Sequence, residues 1–284
     1  MRKNQVKTNG SSETHSTIKK KTTKMFIDSH AHLSLLIKGK EIQLIDIINE
    51  MNENNVKAIL NVCGEKDELE FSESVKNEFI KNNISFFSAA GVHPHEAEKF
   101  ESFSTDWISQ KRDEIIAIGE IGLDFHYNFS PQNIQRNMLR KMIELSLELQ
   151  KPLIIHGRSG EEEIIETLLK YGFKGKKVLF HCYTGSLETV KKIFENGWYI
   201  SFSGILTFKN STDILEILKN SDLNKIFFET DSPFLSPAPF RGKINTPAKV
   251  KYVYEFASKS LNIELPELCD QVKRNFENFF SLSL

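Results

Sequence analysis

An α/β chain folded as a (β/α)8 TIM barrel, with an extra C-terminal helix and a disordered basic N-terminal tail, is the fold class the sequence predicts. Three observations predict it. Eight short apolar runs alternate with segments of helical periodicity. The 284 residues exceed the ~250 of one such barrel by little more than the polar leader. Histidines and acids gather where the apolar runs end, the face on which barrels of this kind build their sites.

Residues 1–24 carry seven Lys/Arg against one Glu and almost no apolar side chain. They predict a solvated tail of net charge +6, and leave −7 on a single barrel domain spanning 25–284. The apolar runs fall at 25–30 (MFIDSH), 56–62 (VKAILNV), 84–91 (ISFFSAAG), 115–121 (IIAIGEI), 152–156 (PLIIH), 177–182 (KVLFHC), 199–204 (YISFSG) and 225–230 (KIFFET). They are too short for helices, and their continuous apolarity marks strands covered on both faces. Helical spacing follows at 41–52, 67–80, 105–113, 132–149, 161–170, 186–195, 211–219 and 247–260, with the extra helix at 266–280. In the clearest, Ile134, Met138, Leu139, Met142, Ile143, Leu145 and Leu149 gather on one face, and Pro131 stands where a first turn tolerates proline. No G-x-G-x-x-G follows the first strand, so the barrel is preferred to a doubly wound dinucleotide-binding sheet.

Apolar residues at 39%, with 22 Phe, exclude wholesale disorder. A count of 37 basic against 38 acidic residues excludes a globally basic nucleic-acid binder. Three cysteines without a C-x-x-C pair exclude a disulfide framework and a zinc ribbon. No run approaches the ~18 apolar residues of a membrane span, and no apolar leader is present, so a cytoplasmic monomer with no membrane association is expected.

His30 and His32 end the first run, His93 and His95 follow the third, and Glu120 ends the fourth. His156, His181 and Asp231 end the fifth, sixth and eighth. Residues two apart on a strand face one side, so His30 and His32 can reach a single ion. Any one of these histidines alone reads more simply as a satisfied core residue. Imidazoles and carboxylates converging on one cavity are costly to desolvate unless a cation compensates. His30, His32, Glu120, His156, His181 and Asp231 are too many for one open tetrahedral site, which needs three protein donors. Two ions bridged by a carboxylate use all six, and point to hydrolysis of a phosphate ester.

At these residues the sequence resembles the TatD family of metal-dependent deoxyribonucleases, within the amidohydrolase-like barrels. The matching segments are MFIDSHAHL, AAGVHPHEA, AIGEIGLDF, PLIIHGR, FHCYTGS, YISFSGILTF and ETDSPFLSP…FRGKINTP, spanning 25–247 in the family's order. The resemblance implies one metal held by His30, His32, Glu120 and Asp231, and a second by Glu120, His156 and His181, with Glu120 bridging. It implies two divalent ions, Mg²⁺, Mn²⁺ or Zn²⁺, and a 3′–5′ exodeoxyribonuclease whose substrate is single-stranded DNA or its 3′ ends. His93 and His95 would lie near the scissile phosphate, with His93 binding it or donating a proton. Arg158 would meet a phosphate oxygen, and Asp231 would accept the proton of the attacking water. Ser34, Ser159 and Thr246 stand where the family often has acids.

Other features have less specific readings. Asp124 reads as a carboxylate bonding loop amides, and Cys182 as a core side chain alternating away from His181. Arg241 and Lys243 can meet a DNA backbone or simply be solvated. Phe125, Phe129, Phe202, Phe208, Phe234 and Phe240 include loop positions able to stack on bases. The alternative function is hydrolysis of small esters, lactones or amides on the same barrel. Related barrels often bridge their metals with a carboxylated Lys on the fourth strand, where this chain has Glu120. A binding protein without catalysis would have lost some of the six ligands, and none is missing.

Overall fold

The eight apolar runs pair in chain order as one parallel sheet. The computed structural model describes residues 24–40, 42–101 and 106–284. Its strands are β1 (Phe26–Ala31), β2 (Val56–Cys63), β3 (Ser85–Ala90), β4 (Ala117–Asp124), β5 (Leu153–Arg158), β6 (Val178–Phe180), β7 (Tyr199–Phe202) and β8 (Ile226–Phe228), in the order β1 to β8. Every neighbouring pair is parallel, and nearly all strand residues are buried, as continuous apolarity predicts. The ring closes where Ala31 bridges Ser232. There the Asp231 amide donates to the His30 carbonyl at 2.9 Å, and the His32 amide to Ser232 at 2.8 Å.

Helices cross between the strands at Leu44–Glu53, Lys66–Lys81, Asp106–Gln110, Gln132–Leu149, Glu161–Lys170, Leu187–Glu195 and Thr212–Lys219, and Val250–Leu261 follows the eighth strand. The extra helix is Leu265–Phe280. Its Asn275 side chain donates to the carbonyls of Leu223 and Ile226, and Phe276 and Phe279 set ring edges against Phe227. Each such buried ring contributes about 1.5–3 kcal/mol. Two short helices lie outside the periodic segments, Leu33–Lys40 and Ala97–Glu101. The first buries Leu33 and Leu36 one turn apart, and the Leu33 amide donates to the Asn61 side chain on β2.

β4 runs three residues beyond its expected end, so Glu120 lies inside the strand and Asp124 ends it. Gly122 permits this. A Cβ there would stand 1.8 Å from the His156 carbonyl oxygen, so β4 meets β5 backbone to backbone. Apart from Lys24, the basic tail read at 1–24 lies outside the described residues. Among the described residues no helix is long and apolar enough to cross a membrane.

Candidate metal centre

The C-terminal ends of the strands surround a cavity of about 650 Å³ lined by, among others, His32, His93, His95, Glu120, His156, Arg158, His181 and Asp231. The Glu120 carboxylate stands between two groups of ring nitrogens. Its Oε2 is 3.3 Å from His30 Nε2 and 3.7 Å from His32 Nε2. Its Oε1 is 2.6 Å from His181 Nε2, 2.8 Å from His156 Nδ1 and 3.3 Å from His93 Nε2. Asp231 Oδ1 completes the first group, 3.4 Å from His32 Nε2 and 3.9 Å from His30 Nε2.

The first group has the spacing of a cation site. Donors 2.0–2.1 Å from a tetrahedral ion lie about 3.4 Å apart. His30 and His32 bring their Nε2 atoms to 3.2 Å, and the carboxylate oxygens stand close to that separation. The second group is drawn tighter around Glu120 Oε1, at hydrogen-bond length, while His156 Nδ1 and His181 Nε2 are 3.4 Å apart. Both donor sets, His30–His32–Glu120 and Glu120–His156–His181, are compact enough to hold a metal ion.

The far nitrogens of most of these rings are held by neighbours, which fixes their orientation. His32 Nδ1 meets the Val62 carbonyl at 3.2 Å, and His181 Nδ1 meets Glu229 Oε1 at 3.2 Å. Glu229 is fully buried, and its other oxygen accepts from Ser201 at 2.5 Å. His30 stacks on His181 with ring centroids 4.0 Å apart, and its Nδ1 has no hydrogen-bond partner among the described residues. Asp28 Oδ1 accepts the Thr230 amide, tying β1 to the segment that carries Asp231.

Asp124 does bond loop amides, those of His126 and Tyr127, through Oδ1. Its Oδ2 also receives His95 Nε2 at 2.8 Å and His156 Nε2 at 3.1 Å, so one carboxylate orients two cavity histidines. His93 turns its Nδ1 to the His95 amide and its Nε2 to Glu120.

The titration of these groups follows from burial against close opposite charge. Burial favours a neutral Glu120, but the charges of His181 and His93 and the bonds from His156 and His181 hold its carboxyl well below the usual range. Burial likewise opposes, and the His32 hydrogen bond and charge overcome it, in lowering Asp231. Burial works against a charged His32, yet Asp231 and Glu120 raise it to about 9. Glu120 and Glu229 raise His181 in the same way, against the same burial. In His93 burial prevails over Glu120 and brings the ring down to about 4.

Arg158 lines the cavity with its guanidinium over the Tyr127 ring, 4.7 Å from the centroid. Arg241 is not among the lining residues and instead lies 3.5 Å from the Phe208 centroid. Cys182 lines the cavity, contrary to its core reading. β6 ends at Phe180 and Cys182 has φ 44°, so strand alternation no longer governs its side chain. Ser34 donates to Glu68 Oε1 at 2.7 Å, and Glu68 lines the cavity, so a carboxylate from the following β/α unit stands beside position 34.

Comparison with known proteins gives the same picture. The family model described as TatD related DNase matches residues 27–281. An uncharacterized metal-dependent hydrolase of Buchnera aphidicola subsp. Acyrthosiphon pisum is 35% identical over 268 residues, covering 90% of this chain and 99% of the relative. A 3′-5′ ssDNA/RNA exonuclease TatD of Citrobacter koseri is 30% identical over 174 residues, covering 59% of this chain and 67% of that one. In three dimensions the fold matches the YJJV TatD homolog of Escherichia coli K12 with a TM-score of 0.81 at 21% identity, covering 90% of this chain and 98% of that one.

Proposed function

Since the chain belongs to the TatD-related family of metal-dependent hydrolases, we propose that it is a 3′–5′ exonuclease acting on single-stranded DNA or 3′ ends. The observation that carries this reading is Glu120, whose two oxygens face two separate sets of ring nitrogens, as a carboxylate bridging two cations must. In this reading His30, His32, Glu120 and Asp231 would hold one divalent ion, and Glu120, His156 and His181 the other. Such ions, Mg²⁺, Mn²⁺ or Zn²⁺, supply Lewis acidity toward a phosphoryl oxygen and acidify water.

The residues of the chain do the remaining work. Asp231, held ionised, accepts the proton of the attacking water. His93 is neutral at physiological pH, and its Nε2–H faces the cavity, where it donates a hydrogen bond to the scissile phosphate or the leaving oxygen without giving up its proton. Arg158, steadied by Tyr127, meets a phosphate oxygen, and His95 lies beside it under the control of Asp124. Arg241 contacts the DNA backbone outside the cavity. Residues 25–284 act as one catalytic domain, active as a monomer in the cytoplasm.

An end-labelled oligonucleotide incubated with the purified protein and Mg²⁺ or Mn²⁺ tests this. Stepwise shortening from the 3′ end, abolished by EDTA, is expected. Intact DNA alongside turnover of lactones, cyclic amides or p-nitrophenyl esters would overturn the nuclease reading in favour of a small-molecule hydrolase.

A further inference from the structure

We propose that Phe234 is a stacking platform for one unpaired nucleobase, a subsite that rests on the phosphodiester reading and narrows it to single-stranded ends. Phe234 lines the cavity with its ring 51% exposed, and Leu35, Ile205 and Leu235 extend the same apolar wall. An exposed aromatic ring that shares a cavity wall with three aliphatic side chains forms an apolar patch of the kind that marks recognition surfaces. Other loop aromatics are already occupied: Phe129 stacks on Tyr127, Phe240 meets Tyr252, and Phe208 lies beneath Arg241. None of those pairs includes Phe234.

The loop that carries the ring is fixed. The Phe234 amide donates to the Asp231 carbonyl at 2.9 Å, which places the ring three residues from a proposed metal ligand. The Phe234 carbonyl accepts from Asn245 at 2.6 Å, and the buried Asn245 also holds the Thr230 carbonyl. On the other side Leu235 presses its carbonyl onto Gly204, where a Cβ would stand 1.9 Å from that oxygen. A backbone held this firmly loses little freedom when a flat ligand covers the ring it carries.

The cavity therefore offers Arg158 and the cation-ready carboxylate and imidazole sets for an anionic phosphoryl group, and a flat apolar ring for something planar. A nucleotide combines these two groups. Bases within a duplex have their faces covered by neighbours, so only an unpaired base can use the platform. Stacking on a ring reads no hydrogen-bond pattern, so all four bases are accepted.

Two measurements test the subsite. In the first, wild type and Phe234→Ala digest 3′ ends that carry a base or an abasic residue. Wild type is expected to favour the base-bearing end by roughly 5- to 150-fold in kcat/KM, the range of one base–aromatic stack, and Phe234→Ala to bring the ratio near one. Phe234→Tyr, which retains a ring, is expected to keep the preference. In the second, 2-aminopurine deoxynucleoside 5′-phosphate is titrated and its fluorescence read. Quenching by wild type and by Phe234→Tyr, but not by Phe234→Ala, supports the platform. Equal quenching or an unchanged ratio in Phe234→Ala overturns it while leaving the nuclease reading intact. Phe234-dependent quenching without any oligonucleotide turnover keeps the base subsite and sinks the nuclease reading instead.

Discussion

The backbone amide of His95 donates to Nδ1 of His93 at 3.1 Å. This bond settles the tautomer of His93. With Nδ1 accepting, the single proton of the neutral ring resides on Nε2, which faces Glu120 and the cavity. The H-P-H segment thus uses one backbone amide to make its neighbour a neutral hydrogen-bond donor, suited to a phosphate oxygen.

His93→Ala is expected to lower kcat by about 10²–10³-fold, the usual contribution of one positioned hydrogen-bond donor to a developing charge, while two-ion stoichiometry is retained. His93→Gln, which keeps an N–H of similar reach, should recover part of that loss. Metal content by elemental analysis beside oligonucleotide turnover checks both. Loss of a metal ion in His93→Ala would show that the ring is a ligand rather than a donor.

Glu120→Gln removes the charge shared by the two donor sets. Turnover is expected to fall by at least about 10²–10³-fold, with weakened binding at both sites. Isothermal titration of the EDTA-stripped variant reads the two sites separately. Two full-affinity sites in that variant would contradict the bridging arrangement.

Asp124→Asn tests the carboxylate that orients both His95 and His156. Both rings bond the same oxygen and two backbone amides the other, so an amide at this position turns its nitrogen either on both rings or on the His126 and Tyr127 amides. Losing such a partner typically costs 10–100-fold in metal affinity or activity. The fall is expected in kcat and in binding at the His156 site together, with Asp124→Glu restoring less than wild type. Normal metal affinity combined with reduced kcat would confine the role of Asp124 to His95. Glu229→Gln, behind His181, should weaken the same ion by a similar factor without touching His95.

The ionisations set a pH dependence that can be measured by melting. His32 of the cation-free chain is raised from 6.5 to about 9, so its stabilising contribution is complete below 6.5 and is lost as pH rises through about 9. His93 is lowered to about 4, so its contribution is present above 6.5 and is lost as pH falls toward 4. In EDTA the melting temperature is therefore expected to peak near neutrality and to fall by several degrees on either side. Divalent cations bind neutral imidazole, so their affinity should climb between pH 6.5 and 9 with proton release. A flat melting profile in EDTA would show that His32 is not coupled to Asp231 and Glu120.

The barrel and its cavity residues are legible because both are repeated signals. Each strand of a parallel sheet is apolar throughout, and each cavity residue follows or sits near the end of one. Glu229 and Asp124 are less legible because their partners come from other strands. A spacing hint exists for Glu229, which stands two residues before Asp231, as Asp28 does before His30. The helix Leu33–Lys40 escapes a periodic reading because eight residues containing Gly39 give little periodicity. Alternation misplaces Cys182 because β6 ends two residues earlier, and the backbone has already turned. The bond from the His95 amide to His93 leaves no trace in composition or period, since it depends on a turn geometry around Pro94.

The seam between β1 and β8 joins the first and last strands of the ring, and His30, His32 and Asp231 sit on it, tied by backbone hydrogen bonds. A polypeptide still emerging from the ribosome without its eighth strand owns neither Asp231 nor the backbone that holds His32 in place. The donor cluster is therefore complete only once the ring closes, so a copy cut short before Asp231 is expected to be inert rather than a loosely controlled hydrolase.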